Sequence, residues 1–390
     1  MNLFKSLSIA RKSETVAQRP PLGRLFYGAF GNGLPEGSAP YSYADSVRSA
    51  YESNAVAQRA VRIIAEGVGG APVSSSSGGL AALVAATTAG QGLLETVAAQ
   101  LLLHGNAYVQ ILRGADGRPV ELFALRPDRV TITPDARGWP AIFTYRVGDS
   151  VEMIDAVGSD GLSQIIHVKG FHPLDDHYGL GCLGAATQAV AIHNAASRWN
   201  RALLDNAARP SGALVYEPGD GSSLSPEQFR RLREEMEAAF QGAGNAGRPL
   251  LLEGGLSWQA MSLSPAEMDF VGLKAAAARE IALAFGVPPM LLGLPGDNSY
   301  ANYREANRAL WRLTLLPLAG KILDAIAEAL RGWWVDARLV VDVDQVTALA
   351  EDRERLWGQV TAADFLTRAE KRAMLGLQAD APETEEEATR

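Results

Sequence analysis

Three histidines near the middle of the chain are of a residue type, and recur at a spacing, that could form a metal-binding or catalytic site. His167, His172 and His177 recur every five residues, next to Asp175 and Asp176. Imidazole and carboxylate groups bind zinc and other transition metals, and such a site would support metal-dependent hydrolysis. However, this interval does not place side chains on one face of a helix, and the proline and glycine in the stretch favour a loop. The pattern therefore favours a structural role, and a metal-dependent hydrolase stays open as the alternative from the enzyme class.

Other motifs that could carry catalysis or bind nucleotides are incomplete. The Gly69-Gly70 pair and the glycine-rich stretch 242–247 lack the Lys-Ser or Lys-Thr that follows a phosphate-binding loop. Serines 74–77 do not lie in a Gly-x-Ser-x-Gly turn, and a Ser/Gly tract of this kind is typical of a flexible linker. We therefore expect no enzymatic activity, no catalytic residue, no cofactor and no bound metal.

Composition and charge exclude several other classes of protein. The 390 residues are 47% apolar and carry a formal net charge of −8, which predicts a globular chain of two or more domains. Proteins that grip nucleic acid use clusters of Lys and Arg that release counterions from phosphate, and no such cluster is present. The single cysteine, Cys182, excludes a disulfide within the chain. The most apolar stretch, residues 80–103, is interrupted by Gly, Gln and Glu, so we expect no contact with a membrane.

Two long helical segments flank an insertion in the middle of the chain. The first runs from about Leu183 to Ala208 and ends at the Pro/Gly-containing stretch 209–212. The second begins at a capping box at 264–267 and ends at Phe285-Gly286-Val287-Pro288-Pro289. The roughly fifty residues between them are too many for a loop, so we expect a small subdomain carried on two parallel helices.

The flanking regions predict further helices and a set of short strands. Helices are expected at Ser46 to Glu66 and at Gly92 to His104, followed after Gly105 by strands of a small antiparallel sheet or barrel. A long helix from about Asn302 to Trp333 contains Pro317 and should be kinked there. The remaining predicted elements are strands at 212–216, 250–252 and 337–343, a helix that starts at a capping box at 225–228, and helices at 347–360 and 362–375.

A series of short motifs follows in one order along the chain. These motifs are Leu103–Val109, Leu122–Val130, Leu250–Gly255, Glu280–Gly293, Thr314–Pro317, Thr367–Arg372 and Leu375–Leu377. With the motifs in this order, the chain resembles the portal proteins, or head-to-tail connectors, of long-tailed bacteriophages, including those of prophage-derived gene transfer agents. The resemblance covers roughly residues 46–378.

The resemblance implies an α+β fold of the portal type. It would have an α/β wing with a small antiparallel sheet, a two-helix stem, an α/β clip inserted in the stem, a long kinked wing helix and a short helical crown. In this sequence the parts would be an extended N-terminal arm (1–45), the wing (46–180), the first stem helix (181–208), the clip (209–262), the second stem helix (263–289), the tunnel loop (290–301), the kinked wing helix with its strand (302–345), the crown (346–379) and a disordered acidic tail (380–390).

The resemblance also implies a function that depends on assembly. The chain would form a dodecameric ring at the portal vertex of a virion or phage-like particle, assembled in the bacterial cytoplasm. Double-stranded DNA would pass through the ring during packaging and ejection. The other partners would be the terminase motor, a head-completion or adaptor protein and the major capsid protein. A non-portal capsid or tail adaptor scaffold with similar helices stays open as the second alternative.

The tunnel loop has a composition that suits a position on a DNA channel. DNA that moves through a ring must not adhere, and several phosphate contacts per subunit would hold it strongly through counterion release. The loop contains no Lys or Arg, so we expect it to touch DNA only transiently; the alternative is a solvated connector. The residues expected to face the channel are Leu294, Asp297, Asn298, Ser299 and Tyr300.

Two further groups of residues are candidates for contacts with other chains. Arg198 and Arg201 lie about one turn apart on the first stem helix, where we favour ion pairs between subunits over contacts with DNA. The clip would meet the motor and the head-completion protein. Its candidate contact residues are Phe229, Arg230, Arg231, Arg233 and Phe240.

Overall fold

Helices and small antiparallel sheets make up the computed structural model of the protein. The predicted α+β fold class is confirmed. Most of the expected N-terminal arm and the expected acidic tail lie outside the described residues. The structure describes residues 43–88, 90–205, 212–217, 224–240, 256–260, 270–294 and 300–376.

Apolar residues at helical spacing give the described helices their buried faces. In the helix Ala55–Gly69, for example, Ala60, Val61, Ile64 and Val68 are all buried. None of the described helices combines the length and the apolar character of a membrane span. The helices are α1 (Tyr43–Val47), α2 (Ala55–Gly69), α3 (Gly78–Ala85), α4 (Leu93–His104), α5 (Cys182–Asp205), α6 (Pro226–Phe240), α7 (Phe270–Phe285), α8 (Tyr300–Leu310), α9 (Leu316–Leu330), α10 (Ala350–Ala362) and α11 (Arg368–Met374).

The strands are short and pair antiparallel throughout the described part of the chain. Most contain β-branched or aromatic residues, which fit a pleated surface. They are β1 (Val73–Ser75), β2 (Thr87–Thr88), β3 (Gln91–Gly92), β4 (Asn106–Arg113), β5 (Pro119–Leu125), β6 (Val130–Pro134), β7 (Pro140–Val147), β8 (Ser150–Asp155), β9 (Ile165–Lys169), β10 (Gly212–Tyr216), β11 (Leu256–Ala260) and β12 (Leu339–Val341).

The sequence predicts either a small antiparallel sheet or a barrel in this region. The structure contains two three-stranded sheets there. One has the order β5-β4-β9 and the other the order β6-β7-β8. The smaller apolar core contains residues of both sheets, with Tyr108, Ile132 and Phe143 buried. The larger core lies among α2, α4 and α9, where Ile64 and Ile322 are fully buried. These cores fix the frame to which the central helices attach.

Serines 74–77 do not form the flexible linker that their composition predicts. β1 pairs with β12, so that Ser74 lies opposite Val340. The backbone N–H of Ser76 donates to the carbonyl of Arg338 at 3.0 Å. The linker prediction is therefore wrong, because a strand distant in the sequence supplies backbone hydrogen bonds that the local sequence cannot predict.

Asn54 divides the region that the sequence predicts as one helix from Ser46 to Glu66. α1 continues into a π-helical turn at Arg48–Glu52, and α2 begins after Asn54. The side-chain oxygen of Asn54 accepts from the backbone N–H groups of Val56 at 3.1 Å and Ala57 at 3.0 Å. The prediction of a single helix is wrong, because asparagine bonds to the backbone and so favours a helix start over a helix interior.

The long helix expected from Asn302 to Trp333 is interrupted just before Pro317. α8 ends at Leu310, a π-helical turn covers Trp311–Leu315, and α9 begins at Leu316. Proline has no N–H to donate inside a helix, and a π-helical turn is one of the devices that absorb the resulting change in the hydrogen-bond ladder. The structure thus places a π-helical turn next to Pro317, and the kink itself stays a prediction.

The described part of the insertion is an antiparallel strand pair and one helix. β10 pairs with β11, and the return strand predicted at 250–252 lies outside the described residues. The predicted capping box at the start of α6 is confirmed: Gln228 N–H donates to Ser225 Oγ at 3.2 Å, and Ser225 N–H donates to Gln228 Oε1 at 2.9 Å. The insertion thus has its own α/β elements between α5 and α7.

Candidate functional site

α5 and α7 lie side by side as the paired helices that the sequence predicts. They make the most extensive contact between any two described helices. Buried small side chains, such as Ala186 on α5 and Ala277 and Ala278 on α7, allow the two backbones to approach closely. α5 begins at Cys182, whose side chain packs against the larger core. The predicted capping box of the second helix, at 264–267, lies outside the described residues.

An aromatic pair joins the two helices near the insertion. The rings of Trp199 on α5 and Phe270 on α7 are stacked, with centroids 5.9 Å apart and planes at 24°. Stacked aromatic pairs of this kind add about 0.5–1.5 kcal/mol to the effect of burial alone. The pair therefore fixes the two helices against each other at the end where the chain enters and leaves the insertion.

Asn54 fastens α5 to the start of α2. Its side-chain amide donates to His193 Nδ1 at 3.1 Å and to Asn194 Oδ1 at 2.8 Å. Asn194 in turn donates to the carbonyl of Ser49 at 2.8 Å. Asn54 and His193 are both buried, and burial lowers the pKa of His193, which keeps the ring neutral. The N-terminal cap of α2 is therefore also the polar contact that positions the first central helix.

The start of α5 is held at a junction of glycines. Gly105 has a φ of +83°, and its carbonyl accepts from Gly170 N–H at 2.7 Å. A Cβ atom at Gly105 would overlap the backbone of Leu180 and Gly181, and one at Gly179 would overlap the Gly105 carbonyl. Only glycine permits these backbones to touch, so the junction sets how the segment leading to α5 leaves the sheet.

The first of the three histidines is part of a buried hydrogen-bonded cluster. His167 Nε2 donates to Asn106 Oδ1 at 3.0 Å, and the ring stacks on Tyr108 with centroids 4.5 Å apart. Asn106 also bonds to both backbone groups of Gly179. Burial lowers the pKa of His167 to about 3, because the charged ring would lose its hydration. His167 is therefore a neutral packing residue at neutral pH.

The other two histidines also have local structural contacts. His172 Nδ1 accepts from the backbone N–H of Leu174 at 3.1 Å, and His177 is buried. Within the described ranges, no group of three His, Cys, Asp or Glu side chains could hold a metal ion. The geometry of the described residues gives the metal-dependent hydrolase no site.

α7 ends in a rigid bend, as the Gly-Val-Pro-Pro sequence predicts. Gly286 has a φ of +69°, and its carbonyl accepts from Thr314 Oγ1 at 2.7 Å. The backbone N–H of Val287 reaches back to Ala282 O at 2.9 Å, which satisfies a carbonyl of the last turn. A 3₁₀ turn at Pro289–Leu292 follows. The bend therefore fixes the direction of the chain at the start of the expected tunnel loop.

The expected tunnel loop is described only at its two ends. Leu294 is half-buried at one end, and Tyr300 is the first residue of α8 at the other. Asp297, Asn298 and Ser299 lie outside the described residues. Their position on a channel stays a prediction.

The other candidate contact residues lie on exposed helix faces. Arg198 and Arg201 on α5 are exposed. On α6, Phe229 is 60% exposed, and the three arginines 230, 231 and 233 are exposed as well. Phe240 is the last residue of α6. The structure does not bring the α5 and α6 groups into one site, and their roles stay predictions.

Sequence reasoning missed the residues that position α5. Asn54 is a helix-start signal, because asparagine is a preferred N-terminal cap and a run of Ala, Val and Gln follows it. The apolar spacing on either side of Asn54 nevertheless predicts one continuous helix. Gly105 ends α4 as the sequence predicts, with a φ in the left-handed region. Its contact with Gly179 and Gly181 depends on a distant segment and has no local signal.

Comparisons with known proteins agree on one family. The family model described as phage portal protein matches residues 55–376. An uncharacterised protein of Rickettsia bellii is 40% identical over 358 residues, which are 86% of this chain and 91% of the relative. A chain in the neck of a native gene transfer agent particle, computed with C12 symmetry, is 48% identical with a TM-score of 0.67, covering 90% of this chain and 97% of that one. An HK97-family phage portal protein from Corynebacterium diphtheriae shares the fold, with a TM-score of 0.51 at 18% identity, over 75% of this chain and 94% of that one.

Proposed function

The chain belongs to the phage portal protein family, and we propose that it forms a dodecameric ring at one vertex of a virion or phage-like particle. The ring would be the channel through which double-stranded DNA enters during packaging and leaves during ejection. The observation that carries the proposal is the likeness, along almost the whole chain, to a component of a particle neck with C12 symmetry. Heterologous contacts between identical chains close into a ring when the rotation between neighbours divides the circle.

The described elements suit the parts of such a subunit. α5 and α7 would form the stem, and the elements between them would form the clip. The two three-stranded sheets with α1 to α4, α8 and α9 would form the wing, and α10 and α11 the crown. The wing is the part with the large apolar cores, so it can hold the stem while the clip and crown contact other proteins. The major capsid protein would surround the wing.

The segment 290–301 is proposed as the tunnel loop that faces DNA. It continues directly from the rigid bend after α7, and it contains Asp297 and no basic residue. A channel wall without Lys or Arg avoids the counterion release that would hold DNA in place. Transient contact, without strong binding, is what passage of a long polyanion requires.

Charge reversal in this loop tests the proposal. The change Asp297→Lys, alone or with Asn298→Lys, should reduce the amount of DNA packaged per particle, because each ring would gain a circle of positive charges. Asp149→Lys is the matched control, since Asp149 lies in an exposed turn between β7 and β8 and undergoes the same change of charge. DNA content per particle can be measured by the ratio of absorbance at 260 and 280 nm. Normal packaging by Asp297→Lys would contradict the role of the loop.

The exposed face of α6 is proposed as the surface for the terminase motor and, after packaging, for the head-completion or adaptor protein. Phe229 offers an exposed aromatic side chain, Arg230, Arg231 and Arg233 are exposed on the same helix, and Phe240 is its last residue. Aromatic and arginine residues dominate the energetics of protein interfaces. The combination therefore suits a partner with an acidic, partly apolar surface.

Paired arginine replacements test the α6 surface. Arg230→Ala with Arg231→Ala should weaken binding of the motor while leaving ring formation unchanged. The control removes Arg118 and Arg146, which are exposed on the wing. Equal motor binding by both double variants would contradict the assignment. On the stem, Arg198 and Arg201 are proposed to form ion pairs between neighbouring subunits.

A further inference from the structure

An apolar groove lies where α7 turns towards the tunnel loop. We define the bend groove as the space between the last turns of α7, the Pro288-Pro289 pair and the π-helical turn that precedes α9; it encloses about 410 Å³. Leu283 on α7 and Leu313 in the π-helical turn line its two walls. These side chains are 80% and 77% exposed, respectively. The groove is therefore open and lined by large apolar groups that the described residues leave in contact with solvent.

The floor of the bend groove is preformed. Val287 is 2% exposed there, and its backbone N–H is bonded to α7. The hydrogen bond from Thr314 Oγ1 to Gly286 O ties the bend to the helical turn that carries Leu313. The two prolines have fixed φ angles. A rigid apolar groove loses little conformational entropy when it is filled, which is the property of a binding surface.

We propose that a second copy of this chain fills the bend groove in the ring. The inference rests on the proposed function, because a ring built from one heterologous contact requires every copy to present two different surfaces to its neighbours. The groove is a concave apolar surface of the kind that one side of such a contact needs. The chain is similar to a component of a particle neck computed with C12 symmetry, and a ring with that symmetry would place an identical copy on either side of each subunit.

Charge favours a second copy over DNA as the occupant. Among the described residues that line the groove, Arg279 is the only charged one, and Arg312, next to Leu313, is exposed and lies 4.0 Å from Asp352. Too few basic groups are present to hold a nucleic acid backbone. The chain has 44 Asp and Glu residues against 36 Lys and Arg residues, so a neighbouring copy carries more acidic than basic groups that could contact the two arginines. An apolar centre with charged residues at its margin is the usual anatomy of a protein interface.

Two polar substitutions test whether the groove belongs to the interface. Leu283→Glu and Leu313→Glu should leave the folded chain intact, because both side chains are mostly exposed in the single chain. They should raise the protein concentration needed for ring assembly by at least about tenfold, the factor that corresponds to about 1.4 kcal/mol. The control is Met153→Glu, which places the same charge at a side chain 67% exposed on β8. Circular dichroism checks folding, and mass photometry over a range of concentrations measures assembly.

A crosslinking experiment identifies the occupant. Leu313→Cys in a Cys182→Ser background gives one thiol per full-length chain, to which a maleimide-linked photocrosslinker is attached. Illumination of the assembled protein should join two copies, shown as a doubled mass on a denaturing gel. Crosslinks only within one chain would overturn the proposal, as would normal assembly of both Glu variants. If the unchanged chain forms rings in either case, the proposed function stands; if it stays monomeric, both the ring and the groove contact are overturned.

Discussion

Replacing Asn54 by alanine should loosen the joint between α2 and α5. The side-chain oxygen caps α2 through Val56 and Ala57, and the side-chain amide donates to His193 and Asn194. The substitution thus removes a helix cap and two long-range hydrogen bonds at once. Because Asn54 is 2% exposed, water cannot easily take the place of the missing side chain.

The size of the effect follows from the separate contributions. Loss of the cap costs about 1 kcal/mol. The ring nitrogen of buried His193 is left without its donor, and leaving a buried polar group unsatisfied costs about 1–3 kcal/mol. The oxygen of Asn194 is only part-buried, so water compensates most of its loss. We expect Asn54→Ala to lower the free energy of unfolding by about 2–4 kcal/mol, a large share of the roughly 5–15 kcal/mol typical of a folded protein.

Equilibrium unfolding in urea measures this change, and hydrogen exchange in α2 and α5 locates it. Asn54→Ser is the informative companion, because serine also caps helices but cannot reach His193 and Asn194 as an amide donor. It should recover about 1 kcal/mol of the loss. A stability of Asn54→Ala within about 0.5 kcal/mol of the unchanged protein, the usual range for surface substitutions, would refute the reasoning.

Three further predictions concern the glycine junction, the histidines at positions 104 and 167, and the ion pairs between α8 and α10. Gly105→Ala should reduce stability far more than Gly117→Ala: both positions have φ in the left-handed region, but only at Gly105 does a Cβ meet backbone, and equal urea midpoints would contradict this. Burial lowers the pKa of His104 to about 4 and of His167 to about 3. Stability should therefore be full above about pH 6.5 and fall between pH 6.5 and pH 3, because in that range the unfolded chain binds protons that the folded chain does not. A flat profile of urea midpoint against pH would count against this prediction. Glu351→Gln should make α10 more susceptible to protease, because Arg304 and Arg308 of α8 each bind one carboxylate oxygen of Glu351 at 2.5 Å. The difference in cleavage rate between the variant and the unchanged chain should shrink in about 1 M salt, which screens ion pairs.

Local sequence patterns predict the elements that have their own start and stop signals. α4 ends at Gly105, and α6 begins at the Ser225 capping box, as expected. α11 also begins at a capping box, formed by Thr367 and Glu370; the helix predicted at 362–375 overlooks this signal, so its predicted start is wrong. In each case the signal and the backbone hydrogen bonds that it satisfies lie within a few residues, so no knowledge of the rest of the fold is needed.

Elements that depend on distant partners could not be predicted in this way. β1 looks like a linker because its pairing strand, β12, is more than two hundred residues away along the chain. α3 follows this serine tract and begins with two glycines, which predict a turn, whereas Leu80, Leu83 and Val84 bury it against the larger core. Tertiary packing overrides the weak local preference at these places.

The candidate site also has one part that the local sequence predicts and another that it does not. The bend at Gly286 follows from the sequence, because glycine and two prolines can only end the helix there. The bend groove does not, since its walls come from α7 and from a π-helical turn about thirty residues later. The proposed ring would depend on such surfaces, and they form only when the separate elements are packed together.

Cryo-electron microscopy of the assembled full-length chain, reconstructed without imposed symmetry, tests the ring most directly. The proposed function predicts a closed particle with twelvefold rotational symmetry, an axial opening wide enough for double-stranded DNA, and the segment after Pro288 and Pro289 on the wall of that opening. A particle without an axial opening, or one that carries this bend on its outer rim, would contradict it.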